Sequence, residues 1–114
     1  MSIIYEKHDK YTESIIIRKF IGKANINTII DSWRYLYENE VINEKTRGLI
    51  DDFTDCELNM DTDCIEILMH FMKKRAYIRK IKIGVVSNSP KIIVFPFYCR
   101  ELEMELDIRP FSTR

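Results

Sequence analysis

Apolar and polar residues change their spacing along the chain, first at the period of a strand and then at that of a helix. Residues 3–8 and 14–21 are rich in Ile, Tyr and Phe, and such β-branched and aromatic content favours strands. The polar residues between them form a connection short enough for a hairpin, and Gly22 marks the end of the second run. The chain is therefore expected to begin with an antiparallel hairpin.

Helical spacing follows this hairpin. Apolar residues recur every three or four positions from about residue 26 to 39, which predicts a first helix. Either Asn25 or Asn27 can cap it, because an Asn side-chain oxygen can accept a hydrogen bond from a free N–H of the first turn. The apolar stripe consists of Ile26, Ile29, Ile30, Trp33, Leu36 and Tyr37.

A short strand at residues 47–53 precedes a second predicted helix. Asp61 or Thr62 can cap this helix. Basic residues from Lys73 to Lys80 suit its carboxyl end, because they oppose the negative end of the helix dipole. Its apolar stripe consists of Ile65, Leu68, Met69, Met72 and Ala76.

The last third of the chain predicts a strand, a helix and a strand. Residues 81–87 form the clearest strand pattern, and Ser89 with Pro90 begins a third helix. Pro96 interrupts its stripe, so either the helix kinks there or it begins there. A final strand fits residues 105–109. The stripe of the third helix consists of Ile92, Phe95, Cys99 and Leu102.

This order of elements predicts an α/β fold. Helices that alternate with strands act as crossover connections, and these join parallel strands. We expect a mixed, mainly parallel sheet of about five strands, with an antiparallel N-terminal hairpin strand and with helices covering the sheet. The 114 residues have the length of one domain, so residues 1–114 are expected to form a single domain.

Charge and cysteine content narrow the class of partner. Eighteen basic residues balance eighteen acidic residues, so no overall field attracts nucleic acid, and none is expected as a partner. No apolar run approaches the roughly 20 residues that cross a bilayer, so no integral membrane segment is expected. The three cysteines are odd in number and lack the C-x-x-C spacing, which favours free thiols and a cytoplasmic location.

Six acidic side chains between residues 51 and 63 permit two interpretations. One is a magnesium or phosphate-handling site, because carboxylates beyond the carboxyl end of a parallel strand can share a hard cation. The other, which we favour, is a solvated loop followed by acidic residues that stabilise the start of the second helix. The six residues are Asp51, Asp52, Asp55, Glu57, Asp61 and Asp63.

Motifs for catalysis and nucleotide binding are absent from the sequence. It contains no G-x-x-x-x-G-K-[ST], G-x-G-x-x-G or G-x-S-x-G pattern. Residues 87–90 lead from the fourth strand into the third helix, where open α/β sheets often bind ligands. Turn and cap chemistry explains the same residues without a ligand. The sequence therefore predicts neither an enzyme nor a cofactor.

Several local patterns resemble the SpoIIAA-like branch of the STAS-like proteins, which includes bacterial anti-sigma-factor antagonists. The opening hairpin, residues 15–18 and Gly22 before the first helix, residues 49–53 before the second, and residues 82–87 before the third all match. The final match is Asp107-Ile108-Arg109-Pro110-Phe111. The resemblance implies the fold expected above and a role in protein interaction.

One departure from the family pattern concerns regulation. Regulatory members that resemble the anti-sigma antagonists place a phosphorylatable Ser in an Asp-Ser-Ser/Thr-Gly turn at the start of the second helix. The corresponding residues 51–56 of this chain lack that motif. Thr54 and Thr62 provide the nearest hydroxyl groups.

The leading hypothesis is therefore a non-enzymatic interaction or signalling module that binds another protein or a second copy of itself. The apolar third helix supports it, because many exposed apolar groups usually find cover. The candidate surface consists of Thr54, Asp55, Thr62, Asn88, Ser89, Phe97 and Tyr98.

Two other hypotheses stay open. A small apolar molecule or lipid could bind in a groove near the second and third predicted helices, with Met60, Met69, Met72 and Met104 as an adaptable lining. A metal-dependent enzyme could instead act through the acidic residues between 51 and 63.

Overall fold

The structure of the chain is a computed structural model. It describes residues 1–11, 13–59, 61–88 and 107–111, with backbone only for Thr62 and for residues 107–111. Within these residues, five strands form one sheet in the order β1-β2-β3-β4-β5. The first pair is antiparallel and the other three are parallel, which confirms the predicted mixed α/β sheet.

The hairpin strands are β1 (Ser2–Lys7) and β2 (Ile15–Asn25). They pair antiparallel, with Ile4 opposite Lys19. The prediction that Gly22 ends the second strand is wrong, because Gly22 lies within β2 at a φ of 100°. Glycine adopts this positive φ without steric cost, and an added Cβ would lie 3.4 Å from the Cα of Met1.

The third strand, β3 (Gly48–Asn59), is longer than the sequence predicted. It pairs with β2 from Gly48 to Asn59, so in the polar carboxyl half of the strand the backbone groups that face β2 are satisfied in a parallel ladder. Burial alternates along this half, with Cys56 half-buried between exposed Asp55 and Glu57. A register shift between Lys19 and Ile21 places one extra residue in β3 and marks a bulge.

The remaining strands are β4 (Lys82–Val86) and β5 (Asp107–Phe111). β5 lies at the edge of the sheet and includes Pro110. A proline is tolerated there, because an edge strand has one side on which no ladder hydrogen bond is needed. The third predicted helix, from Ser89 to Leu102, lies outside the described residues.

The first helix, α1 (Ile26–Glu38), is capped by Asn25 rather than Asn27. The Asn25 side-chain oxygen accepts from the Thr28 N–H at 3.1 Å, and the Asn25 N–H donates to the Thr28 hydroxyl at 3.4 Å. These reciprocal hydrogen bonds form a capping box, which uses two donors that the first turn would otherwise leave free.

The single second helix that the sequence predicted is divided into α2 (Thr62–Lys73) and α3 (Ala76–Arg79). The break comes at Arg75, which has an extended backbone. Its guanidinium lies 3.5 Å from the centre of the Phe71 ring and donates to the Phe71 carbonyl at 2.9 Å. As a result Ala76 is exposed, contrary to its predicted place in the stripe, and Ile78 enters the core instead.

The three helices share one apolar core with one face of the sheet. Trp33 and Leu36 from α1 are buried together with Met69 from α2, and Phe20 stacks on Phe53 at 4.6 Å between β2 and β3. Alternation along the strands explains which residues enter this core, because every second side chain faces the helices. Members of the core on the strands are Ile16, Phe20, Leu49, Phe53, Ile83 and Val85.

Substitution of Asn25 tests whether its capping box stabilises α1. Replacing Asn25 with Ala should lower the free energy of unfolding by about 1 kcal/mol, since it leaves the Thr28 N–H without its acceptor. Asn27→Ala, also exposed but without a capping bond, is the control and should stay within about 0.5 kcal/mol of wild type. Urea denaturation measures both values, and equal losses would show that Asn25 is not the functional cap.

Candidate functional site

The carboxyl edge of the parallel strands gathers part of the surface predicted from the sequence. The β3–β4 register ends where Asp52 pairs with Val86. Thr54 and Asn88 each follow that last pair by two residues, so the register places both at the same edge of the sheet. Thr62 is the first residue of α2. Three other predicted residues, Ser89, Phe97 and Tyr98, lie outside the described part of the chain.

Thr54 is held by the carboxylate of Asp52. Its hydroxyl donates to Asp52 Oδ1 at 2.7 Å, and its backbone N–H donates to the same oxygen at 3.0 Å. Asp52 is only 2% exposed, and Thr54 is half-buried. The hydroxyl of Thr54 is therefore committed to an internal contact next to the bulge in β3.

Asp55 differs from Asp52 in lying on the surface. Its carboxylate is 3.4 Å from the ammonium group of Lys19, and both side chains contact solvent. Exposed ion pairs of this kind contribute about 0–1 kcal/mol, because solvent screens them and ordering two long side chains costs entropy. Asp55 and Asn88 thus supply the exposed polar groups of this edge.

The start of α2 uses its acidic residues as the sequence predicted. Asp61 is the N-cap and accepts from the Cys64 N–H at 2.9 Å, while Asp63 lies in the first turn. This backbone hydrogen bond to the charged carboxylate lowers the pKa of Asp61 below its ordinary value. Among the residues that the structure describes, no three His, Cys, Asp or Glu side chains converge as a metal site.

The prediction of a solvated loop is wrong for four of the six acidic residues, because Asp51, Asp52, Asp55 and Glu57 lie within β3. Asp51 and Asp52 lie within β3 and are 5% and 2% exposed. Because Asp51 and Asp52 lie inside the strand, they are not at its carboxyl end, where the sequence suggested that carboxylates could share a cation. Residues 51–56, which the resemblance placed at the phosphorylated turn, also lie within β3, before α2 begins.

Sequence reasoning missed the buried charge network around Arg18. The Arg18 guanidinium is fully buried and forms a two-point ion pair with Asp51: Nε donates to Oδ1 at 2.7 Å and Nη2 donates to Oδ2 at 2.8 Å. Its Nη1 donates to the Ser32 hydroxyl at 3.0 Å, and that hydroxyl is hydrogen-bonded to the Tyr5 hydroxyl at 2.8 Å. The network therefore joins β1, β2, β3 and α1.

Two aromatic rings complete the surroundings of Arg18. Its guanidinium carbon lies 4.5 Å from the centre of the Trp33 ring and 5.0 Å from that of Phe20. Planar guanidinium groups interact favourably with aromatic faces, and the interaction is stronger away from water. Alternation could have revealed the pair, because Arg18 shares the parity of Ile16 and Phe20 on the core side of β2.

The geometry of this network is structural rather than catalytic. Each nitrogen of the Arg18 guanidinium already donates to a protein partner, and none of its side chain is exposed. Within the described residues, no buried side-chain nitrogen or oxygen lacks a hydrogen-bond partner. Because none of the Arg18 side chain is exposed, a substrate could not reach its guanidinium, so the network acts on the fold.

The described thiols and methionines are also part of the packing. Cys56 and Cys64 are free and half-buried, and burial raises the pKa of the Cys56 thiol above its ordinary value, which disfavours the reactive thiolate. Met69 and Met72, expected to line an apolar groove, are 1% and 3% exposed and lie in the core. Cys99, Met60 and Met104 lie outside the described residues.

Loss of the buried ion pair should destabilise the protein more than loss of an exposed charge on β3. Asp51→Asn should lower the free energy of unfolding by about 3 kcal/mol or more, because Arg18 would stay buried without a counter-charge. Asp55→Asn is the matched control, and it should cost less than about 1 kcal/mol because its ion pair is exposed. Equal losses in urea denaturation of the two variants would contradict the assigned role of Asp51.

Solved structures of other proteins share the architecture of this chain. No protein-family model matches the sequence, and no curated protein matches it either. Among solved structures, the unphosphorylated form of the anti-sigma factor antagonist SpoIIAA matches with a TM-score of 0.58 and 10% identity, over 99% of this chain and 90% of that one.

A second match is an uncharacterized protein of the DUF3478 family from Shewanella loihica PV-4, which has a SpoIIAA-like fold. Its TM-score is 0.62 at 12% identity, over 99% of this chain and 86% of that one. No helix in the described part of the chain is long and apolar enough to cross a membrane. The order of elements and these two structures together establish that the chain has a SpoIIAA-like fold.

Proposed function

We propose that the chain is a non-enzymatic interaction module that binds another protein, or a second copy of itself, through the carboxyl edge of its sheet. One observation carries the proposal: the fold of the anti-sigma factor antagonist SpoIIAA extends over 99% of the chain. A module of this type works by presenting a surface to a partner. The proposed surface is the exposed part of the carboxyl edge, namely Asp55, Asn88 and the start of α2.

The distribution of polar groups supports the same proposal. Buried ionisable side chains of β2 and β3 are engaged internally, with Arg18 bound to Asp51 and Asp52 bound to Thr54. Reactive groups on these strands are therefore turned inward, whereas Asp55 and Asn88 are exposed. Exposed polar residues held on a rigid sheet edge are suited to the rim of a protein interface.

The acidic sign of this surface indicates the charge of its partner. Asp61 and Asp63 are both exposed at the start of α2, and Asp55 adds a third carboxylate from β3. The Lys19 ammonium lies 3.4 Å from the Asp55 carboxylate. Because solvent screens this ion pair, Lys19 neutralises the charge of Asp55 only in part. A partner with basic side chains would therefore dock faster and in a fixed orientation, since complementary charge steers association.

Charge reversal at the carboxyl edge tests this function. Asp55→Arg should abolish capture of a specific basic partner from a native lysate, because the new positive charge opposes the basic surface of that partner. Glu38→Arg is the matched control: Glu38 is an exposed acid at the last residue of α1 and should leave binding unchanged. Circular dichroism checks that both variants remain folded.

Two results would contradict the proposal. One is a wild-type protein that stays monomeric at all concentrations and captures nothing. The other is an identical set of captured proteins for wild type, Asp55→Arg and Glu38→Arg, which would place the interface away from the carboxyl edge.

A further inference from the structure

A cavity of about 500 Å³ lies at the opposite, amino edge of the parallel strands. Its walls come from the end of α1, the connection at residues 39–47 and α3, close to where β3 and β4 begin. This volume is within the range that holds small-molecule ligands. Its lining residues include Tyr37, Ile42, Glu44, Arg47, Tyr77 and Lys80.

The apolar floor of the cavity is fixed by buried side chains and backbone hydrogen bonds. Ile42 and Ile81 are 6% and 3% exposed. The Ile42 N–H donates to the Leu36 carbonyl at 3.1 Å, and the Lys82 N–H donates to the Arg47 carbonyl at 3.0 Å. The cavity therefore exists before any ligand arrives, and binding need not order its walls.

An aromatic pair forms one side of the cavity. The rings of Tyr37 and Tyr77 stack with their centres 4.4 Å apart and their planes 21° apart. Tyr37 is 57% exposed, so part of its ring remains open to a ligand. The Tyr77 hydroxyl can donate a hydrogen bond, and burial raises its pKa above the ordinary value.

Positive charge exceeds negative charge in the lining. Arg47 and Lys80 contribute two positive charges and Glu44 one negative charge, which leaves a net charge of +1 (2 − 1). Arg47 Nη1 donates to the carbonyls of Glu44 and Thr46 at 2.6 and 3.2 Å, which holds the side chain in place.

Donors remain for a ligand after these contacts are made. Toward the described residues, the Nε and Nη2 groups of Arg47 make no hydrogen bond, and the Lys80 ammonium makes no ion pair. A planar guanidinium with free donors matches the paired oxygens of a carboxylate or phosphate.

We propose that this cavity binds a small aromatic anion, with its ring against Tyr37 and its carboxylate or phosphate group on Arg47 and Lys80. The inference is independent of the proposed protein interaction, because the two surfaces lie at opposite edges of the sheet. It differs from the apolar groove considered for the methionines, since both cations and an aromatic pair face this cavity.

Titration of ¹⁵N-labelled full-length protein with phenyl phosphate and with benzoate tests the proposal. Inorganic phosphate represents the anionic half of the ligand, and phenol represents its aromatic half. At least one aromatic anion should bind with a Kd of about 1 mM or tighter, and about three- to tenfold more tightly than either half probe, because ring contact and charge pairing act together. The better of the two identifies the preferred anionic group.

Substitutions in the lining locate the site. Tyr37→Ala and Lys80→Gln both change exposed side chains and should each weaken binding about three- to tenfold. Lys23→Gln, an exposed lysine near the carboxyl end of β2, is the control and should leave the affinity unchanged. No binding of either aromatic anion, an affinity for the better aromatic anion no higher than that for phenol or inorganic phosphate, or unchanged affinity in both lining variants would overturn the proposal.

Discussion

A guanidinium that has no access to water must find a partner for each of its nitrogens, and Arg18 finds them on two different elements. Two of its nitrogens bind Asp51 on β3, and the third binds Ser32 on α1. Since Ser32 also bonds Tyr5 on β1, one side chain fixes the relative positions of three strands and a helix. An apolar residue at this position would make no directional contact, whereas a two-point ion pair adds a specific constraint on the register of β2 against β3.

Periodicity predicted the order of elements because most of the core follows simple alternation. Most of the stripe of α1, the inward residues of β4, and Ile16 and Phe20 on β2 are apolar at the spacing that their elements require. The Asn25 cap was one of two possibilities, and the contact with Thr28 decides between them. The mainly parallel pairing of the sheet could be predicted because helices that separate strands in the sequence act as crossover connections, and these join parallel strands.

Some predictions failed because they depended on contacts between distant residues. The polar end of β3 resembles a loop in sequence, and only its ladder with β2 makes it a strand. The break before α3, by contrast, is local: Arg75 has an extended backbone, and its side chain donates to the Phe71 carbonyl four residues earlier. The buried Asp51 resembled a solvated acid because its partner lies 33 residues earlier in the chain. The amino-edge cavity was not foreseen, because its walls come from three separate segments.

The two edges of the sheet present different chemistry. The carboxyl edge offers exposed carboxylates on a rigid strand and helix start, which suits a protein surface of opposite charge. The amino edge offers a bounded cavity with an aromatic pair and two cations, which suits a small anion. Between them, the buried network holds the strands in one register, so both surfaces depend on it.

A double-mutant cycle between Arg18 and Asp51 tests this dependence most directly. The free energy of unfolding is measured in urea for wild type, Arg18→Met, Asp51→Leu and the double variant. We expect each single variant to lose about 3 kcal/mol or more, and the double variant to lose less than the sum by about 2 kcal/mol or more. Additive losses, with a coupling energy near zero, would show that the two side chains stabilise the fold independently and would contradict the account.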